Sequence, residues 1–527
     1  MPSYSPTHTR ARCSNIRKFN EWRINTMKKI TAFTLLLANL LLLAACGGSE
    51  VSNDTTASAG GDTTAAPVET EVTDDIPELD FGGAPFRVLT ADFSGYPTRT
   101  FSAEQTGDIL DDALFARNRY LEERFNIEIE EITVSNFIKD ISPAIRTVVL
   151  AGDPAYEMAM MVDRFALNIG MEGCLYSYND LPYIDLDKPY WNQQVKEDFS
   201  VDGKLFFCYG DDNLVFFQNT TILTFNKQLA EQYKLDDPYQ LVYDGKWTYD
   251  RFMEMNAAVT NDLNGDSVMD INDQWGTIMA TNMFYANFWL QDGLKLVEKD
   301  EDDLPYFNVP GNDALQSILV RLAEDSKKGY FYDMDTRTDY NEFLNTSAPA
   351  NYDGSRLDNL MKLFTMNKSL FASATFIHVI NARTMEADFG ILPFPATEEK
   401  EPGYIYGSRT FGGFPYVVPA STENLEMVSA VMEASAYYAH QNVIPVLYDK
   451  VLKVKNTRDE DSVNMMDMIR RNRITDLGET YWWDNVENTY EQAFKEGDVN
   501  MASRTAAVEE LVNADLEKAI EFFKALD

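Results

Sequence analysis

Between Thr260 and Gly276 the chain reads TNDLNGDSVMDINDQWG, and its oxygen-bearing side chains fall at an orderly spacing. With Asp262 as position 1, Asn264 stands at 3, Asp266 at 5, Val268 at 7, Asp270 at 9 and Asp273 at 12. A hard cation such as Ca2+ takes six to eight oxygens, and a twelve-residue coil supplies them from this order of positions, the seventh through its backbone carbonyl. Two positions depart from the pattern. Ser267 stands where glycine is usual, and Asp273 is shorter than the bidentate glutamate usual at the last position. The plainer alternative is a hydrated acidic turn around Asn264-Gly265. The expectation is a structural Ca2+ site, because a loop saturated by its own oxygens leaves little coordination open for a substrate. It would clip the helix after GKWTYDRF to the strand WGTIMA, and as a single copy inside a continuous domain it does not read as an anchoring module.

Groups that would carry catalysis are scarce. The sequence has no HExxH, GxSxG, CxxC or phosphate-loop glycine pattern. His378, in the apolar ATFIHVI, reads as a hydrogen-bonded core residue. A glycosidase needs only two carboxylates, so with this many acidic residues a hydrolase stays open as an alternative. Cys174 and Cys208 allow one bridge in an exported chain, although lone cysteines are more often simply buried.

The N-terminus bears on where the chain works. From Met27, the expected start, MKKITAFTLLLANLLLLAACGGSE sets two lysines before an apolar run and small residues before Cys46, the order of an export signal. Residues 1–45 form this signal region. The run is shorter than the roughly 20 residues that span a bilayer as a helix. Leu43-Ala44-Ala45-Cys46 resembles a bacterial lipobox, which implies a lipid on Cys46 and a place at the extracellular face of the cell membrane. Residues 46–83, rich in Gly, Ser, Thr, Ala and Asp, read as a disordered tether. From Cys46 onward 38 Lys and Arg face 83 Asp and Glu, a net charge of −45. Such a surface repels phosphate backbones, so nucleic acid is excluded as a partner and the membrane is reached through the lipid only.

Positioning any site falls to the more than 400 residues that follow, which carry enough apolar and aromatic side chains for two cores. FRVLTA, then ILDDALFARNRYLEERF, NIEIEEITV, FIKDISPAIRTVVLAGDPA and YEMAMMV alternate strand and helix periodicity, which predicts a parallel sheet with right-handed crossovers. Ligands of such sheets bind at the carboxyl ends of strands, here near Thr90–Phe93 and Asp163–Phe165. LVFFQNTTILTFNK suits a buried strand. The C-terminal SRTAAVEELVNADLEKAIEFFKALD sets Val508, Leu511, Val512, Leu516, Ile520 and Phe523 on one helical face.

Seven segments, AGDPAYEMAMM, YIDLDKPYWN, GKLFFCYGDDN, TFNKQLAEQY, DDPYQLVYDGKWTYDRFMEM, MEADFGILPFPA and GGFPYVVPAS, occur in an order that resembles the sugar-type solute-binding lipoproteins of ABC importers, the group that includes maltose-binding protein. The resemblance covers most of Ala84–Asp527. It implies an α/β protein of the two-lobe periplasmic-binding-protein type II fold with crossing hinge strands. One lobe would comprise 84–212 and 412–455, the other 213–411 and 456–527, with crossings near 211–225 and 412–419. It further implies capture of a sugar or oligosaccharide by lobe closure, delivery to ABC permease subunits, and no enzymatic activity. A surface receptor or adhesion lipoprotein built on the same clamp is the alternative from another class.

A sugar presents hydroxyls and apolar ring faces, so its site combines carboxylates, amides and guanidinium groups with aromatic platforms. Candidates near the expected strand ends and crossings are Asp92, Arg164, Trp191, Asp211, Asp212, Tyr285, Trp289, Arg409, Gly412 and Gly413. Trp247 reads as packing, with Thr248 as a helix N-cap. Of the adjacent Trp482 and Trp483, at most one can face a ligand.

Overall fold

The computed structural model describes residues 72–91, 104–347, 356–382, 385–410, 412–447 and 459–526. The signal region, Cys46, most of the tether and Asp92 lie outside the described residues. The folded part begins before Ala84. Val72, Ile76, Leu79 and Phe81 pack against the core, and Asp74 pairs with Arg124, so 72–83 belongs to the globule and not to the tether.

The first sheet has the order β12-β3-β1-β2. Strands β1 (Ala84–Ala91) and β2 (Ile127–Val134) run parallel in register from Ala84↔Ile127 to Ala91↔Val134, and β3 (Met158–Met160) lies parallel on the other side of β1. Strand β2 alternates Ile127 and Ile129 with exposed Glu128 and Glu130, the charge pattern that blunts an edge. The crossover helix Ile109–Phe125 starts on the Asp108 side chain, which accepts from Leu110 N–H, and stops at left-handed Asn126.

The second sheet has the order β10-β4-β9-β5-β8. Its members are β4 (Thr221–Asn226), β5 (Trp275–Met279), β8 (Phe331–Asp333), β9 (Ser369–Thr375) and β10 (Phe389–Leu392). Every residue of β4, β5 and β9 is buried, as expected of strands covered on both faces. Here the sequence reading needs correcting: Leu214–Gln218 is a short helix capped by Asn213, and the strand starts only at Thr221. A fully buried apolar run has no period that distinguishes the two. Two short hairpin strands, β6 (Val297–Lys299) and β7 (Pro305–Phe307), stand apart.

The chain passes between the sheets where Thr220 bridges Thr410. Immediately before, β11 (Ser408–Arg409) pairs in parallel with β13 (Arg473–Ile474); soon after, β12 (Tyr416–Val417) joins the first sheet antiparallel to β3. Helix Leu425–Tyr438 returns to pack on Ile109–Phe125, and helix Glu460–Arg471 packs on β10. The C-terminal helix Met501–Ala525 buries Met501, Thr505, Val512, Leu516, Ala519 and Phe523, leaving Leu511 52% exposed, so its stripe is rotated from the expected one.

The smaller expectations resolve simply. Trp247 is fully buried and donates to Pro393 O (2.9 Å), and Thr248 caps the next helix. His378 is buried against the Thr375 hydroxyl (2.7 Å). Cys174 and Cys208 are both free and buried, so no bridge links them. In the acidic loop Asp262 accepts from the amides of Gly265 (2.6 Å) and Ser267 (2.8 Å), and Asp273 from those of Leu263 (2.9 Å) and Asp270 (2.8 Å). Ser267 takes a left-handed φ of 67°, the conformation that favours glycine at this position.

Glu433, on helix Leu425–Tyr438, is buried and accepts from Tyr190 Oη (2.5 Å), Trp191 Nε1 (2.8 Å) and Asp185 N–H (3.2 Å). Burial pushes its pKa to about 7 against these donors. The folded chain therefore holds a proton that the unfolded chain, with an ordinary glutamate near 4.3, releases earlier. This contribution is complete below about pH 4 and is lost as pH rises through about 7, on the order of 3 kcal/mol in all. Urea unfolding should show stability falling between pH 5 and pH 8, and Glu433→Gln should flatten that fall. A wild-type slope retained in the mutant would refute the assignment.

Candidate functional site

At the carboxyl end of β3 the chain turns through Asp163–Phe165. Asp163 N–H donates to Gly413 O (3.1 Å), which hangs this turn on the crossing segment. The Asp163 carboxylate accepts from Tyr209 Oη (3.0 Å) and from Arg164 N–H (2.8 Å), and burial raises its pKa. Arg164 is half-buried and points across the cleft, its guanidinium carbon 4.7 Å from the centre of the Trp483 ring. A cation over an indole face is an electrostatic attraction to the ring quadrupole.

The opposite wall is built by β11 and residues 475–491. Arg409 at the end of β11 is 3% exposed. Its Nε lies 2.5 Å from Glu479, one terminal nitrogen pairs with Glu487, and the other donates to Asn282 O (2.7 Å). Glu479 sits on helix Leu477–Thr480, which Asp476 caps, and Glu487 opens helix Glu487–Glu496 with Glu491 one turn later on the same face. Burial raises Glu479 well above the usual carboxylate range, raises Glu487, and lifts Glu491 to about 7. Burial also opposes the charge of Arg409, but Glu479 and Glu487 outweigh it and hold the guanidinium charged. These walls, with Gly412, enclose a cavity of about 80 Å³. That is small beside the roughly 300–1,000 Å³ of ordinary ligand pockets, because Arg164 itself covers the Trp483 face.

Of the residues expected to hold a solute, Arg164, Arg409 and Gly412 line this cavity. Gly412 takes φ 61°. Gly413 stands behind it, where a Cβ would meet Tyr209 Oη at 2.0 Å, so glycine is required there by packing. The others lie elsewhere. Trp191 belongs to the core of the first lobe on Glu433, Asp211 pairs with His440 Nδ1 (2.6 Å), and buried Asp212 accepts from Ser435 Oγ (2.7 Å). Tyr285 and Trp289 are core residues of the second lobe against Phe494, with ring centres 4.4 and 6.1 Å away. A large aromatic is as easily a core residue as a platform, and sequence spacing does not separate the two.

Asp163, Asn282, Glu479, Glu487 and Glu491 were not singled out as site residues. The strand-end rule had pointed at Asp163, and the paired tryptophans held a second clue. Trp482 is 6% exposed while Trp483 is half-buried and faces the cleft. Nothing local marks the glutamates, which answer a guanidinium some 70 residues earlier in the chain.

A larger depression of about 810 Å³ lies between residues 178–205 and the β6–β7 hairpin. Tyr178 is the one aromatic in its lining and is 1% exposed, so it offers no ring face. Lys295 and Lys299 are taken by Asp198 and Asp303. Of these two cavities, the inter-lobe cleft is the one that combines an open ring face, guanidinium groups and carboxylates, and it is therefore the candidate site.

Methionine in place of Arg409 would leave Glu479 and Glu487 buried without their counter-charge, a loss of about 3–5 kcal/mol. A shift of the urea midpoint corresponding to less than 1 kcal/mol would show that Arg409 is not the structural centre of the cleft.

No protein-family model matches the chain, and no curated protein matches its sequence. Solved structures do match its fold. The ABC substrate-binding protein Lmo0181 of Listeria monocytogenes, in complex with cycloalternan, is 12% identical at a TM-score of 0.50, over 82% of this chain and 99% of that one. The GacH receptor of Streptomyces glaucescens, described unliganded and with acarbose, gives 12% identity and a TM-score of 0.50 over the same shares. A sugar transporter protein of Rhizobium etli in an open conformation gives 13% and 0.50, over 84% of this chain and 100% of its own. The chain thus has the two-lobe α/β fold of sugar-type ABC substrate-binding proteins, as its sequence led us to expect.

Proposed function

We propose that this protein captures a sugar or oligosaccharide in its inter-lobe cleft and delivers it to the permease subunits of an ABC importer. The observation that carries the reading is the half-buried Trp483 ring facing Arg164 of the other lobe across a cleft lined with carboxylates. An indole face takes the apolar side of a pyranose ring, while carboxylates and guanidinium groups take its hydroxyls. The likeness of fold to proteins solved with cycloalternan and acarbose supports the saccharide class. A solute entering the cleft displaces Arg164 from Trp483, and the lobes then close on it, a hinge motion driven by tighter binding to the closed state. Binding suffices here, and the reading includes no catalysis.

Calorimetry against a panel of neutral and charged saccharides should give saturable binding, and Trp483→Ala should weaken it at least tenfold. Failure of every saccharide to bind would remove the proposal, and turnover of one would turn it toward a hydrolase. The reading also includes a lipid on Cys46: the full chain should fractionate with cell membranes and Cys46→Ala should not.

The acidic loop enters this proposal as a structural Ca2+ site. Asp262, Asn264, Asp266, Asp270 and Asp273 form an all-oxygen donor set. Each carboxylate oxygen that caps an amide keeps a second lone pair. Against it, the described residues gather no group of three or more His, Cys, Asp or Glu side chains suited to an ion. A hundredfold excess of Ca2+ over Kd would stabilise the fold by about 2.7 kcal/mol. A melting temperature that neither EDTA nor added Ca2+ moves would leave the loop a turn held by its own amides.

A further inference from the structure

We infer that the solute carries a protonated amine, that is, that the cleft takes an amino sugar or an oligosaccharide containing one, held by Glu479 and Glu491 beside the Trp483 ring. The inference rests on the saccharide reading above and narrows it.

Five carboxylates line the cavity and two guanidinium groups face them. Asp476 is turned away, its oxygens accepting from the amides of Leu296 (2.6 Å) and Gly478 (2.6 Å), and Asp163 is satisfied by Tyr209 and its neighbour's amide. Three glutamates then remain around Arg409, with Arg164 also acting on Glu487 and Lys495 on Glu491, so five carboxylates face three cations. Glu487 takes one arm of the guanidinium. Glu479 uses only Oε2 on it, and Glu479 Oε1 is buried in the cavity wall with no hydrogen-bond partner. Glu479 is 8% exposed, so water does not serve that oxygen freely. Among the described residues Glu491 is ion-paired with Lys495 at 3.7 Å. Buried acceptors left unpaired are costly, and a donor bearing positive charge offsets most of that cost.

A second observation points the same way. The Trp483 face holds a cation already, Arg164 from the other lobe. A ligand ammonium arriving as Arg164 leaves would keep the ring's cation–π partner and bring its three donors to Glu479 Oε1 and to Glu491. A neutral hydroxyl would supply one donor and no charge. The raised pKa values of Glu479, Glu487 and Glu491 agree, since carboxylates crowded without enough counter-charge retain protons until a cation replaces them.

The test is calorimetry on the full chain at pH 7 with matched sets: glucosamine, N-acetylglucosamine and glucose, then their β-1,4 tetramers, with galactose and mannose sets alongside. The free amine should bind at least tenfold tighter than both its acetylated and its hydroxyl counterpart. Glu479→Gln should erase that preference. Where that variant does not fold, Glu491→Gln, at a less buried position, should reduce it severalfold. Equal or tighter binding of the neutral sugars overturns the inference and leaves the saccharide reading standing. Absence of binding by all of them overturns both. Spermidine binding as tightly as the best amino sugar also overturns it, since charge alone would then suffice.

Discussion

Arg409 is held where three parts of the molecule meet, and its charge must be matched on the spot. Its backbone lies in β11 against β13, its carbonyl accepts from the Thr221 hydroxyl at the head of β4 (2.8 Å), and its guanidinium is clasped by Glu479, Glu487 and the Asn282 carbonyl. A buried ion pair adds little net stability compared with an apolar cluster of the same volume, but breaking one is expensive. The consequence is positional. Segment 476–491 cannot leave the crossing strand without stranding a charge, so the wall of the cleft is fixed to the hinge itself.

The facing wall depends on the same crossing by neutral means. Gly413 offers its carbonyl to Asp163 N–H and has no Cβ to strike Tyr209, whose ring stacks on Phe216 at 3.9 Å and whose hydroxyl reaches the Asp163 carboxylate. Arg164 follows directly, so its reach toward Trp483 is set by backbone hydrogen bonds made one residue earlier. Both walls therefore originate within a few residues of each other in the return crossing. A movement there is transmitted to both sides of the cleft, which is what a clamp requires.

Acidity has two meanings in this chain. Among the described residues most Asp and Glu side chains are solvated, and the chain's formal net charge of −39 bears on solubility and on which partners are repelled. The twelve that are buried among the described residues are different, because desolvation makes each one demand a partner. Glu433 finds its donors in Tyr190 and Trp191, and Asp476 finds them in backbone amides. Asp212, Asp325 and Glu479 each keep a buried oxygen without a hydrogen-bond partner, and of these Glu479 lines the cleft.

The alternation of strand and helix from Ala84 to Met160, the capped helices and the acidic loop's place between helix and strand were legible in the sequence, because each is written in periodicity or capping over a few neighbouring residues. The order of segments was enough to suggest two lobes. What tertiary structure alone decided was which polar and aromatic residues face the cleft. Trp191, Tyr285 and Trp289 carry the same side-chain chemistry as Trp483, yet they are buried among apolar residues of the core. Arg164, Arg409 and Gly412 reach the cavity because strand ends and crossings lie there in this fold. Glu479, Glu487 and Glu491 meet them only through β11–β13 pairing across more than 60 residues. Local sequence sets what a residue can do, and long-range pairing sets what it meets, since a contact between distant segments leaves no periodic trace in either one.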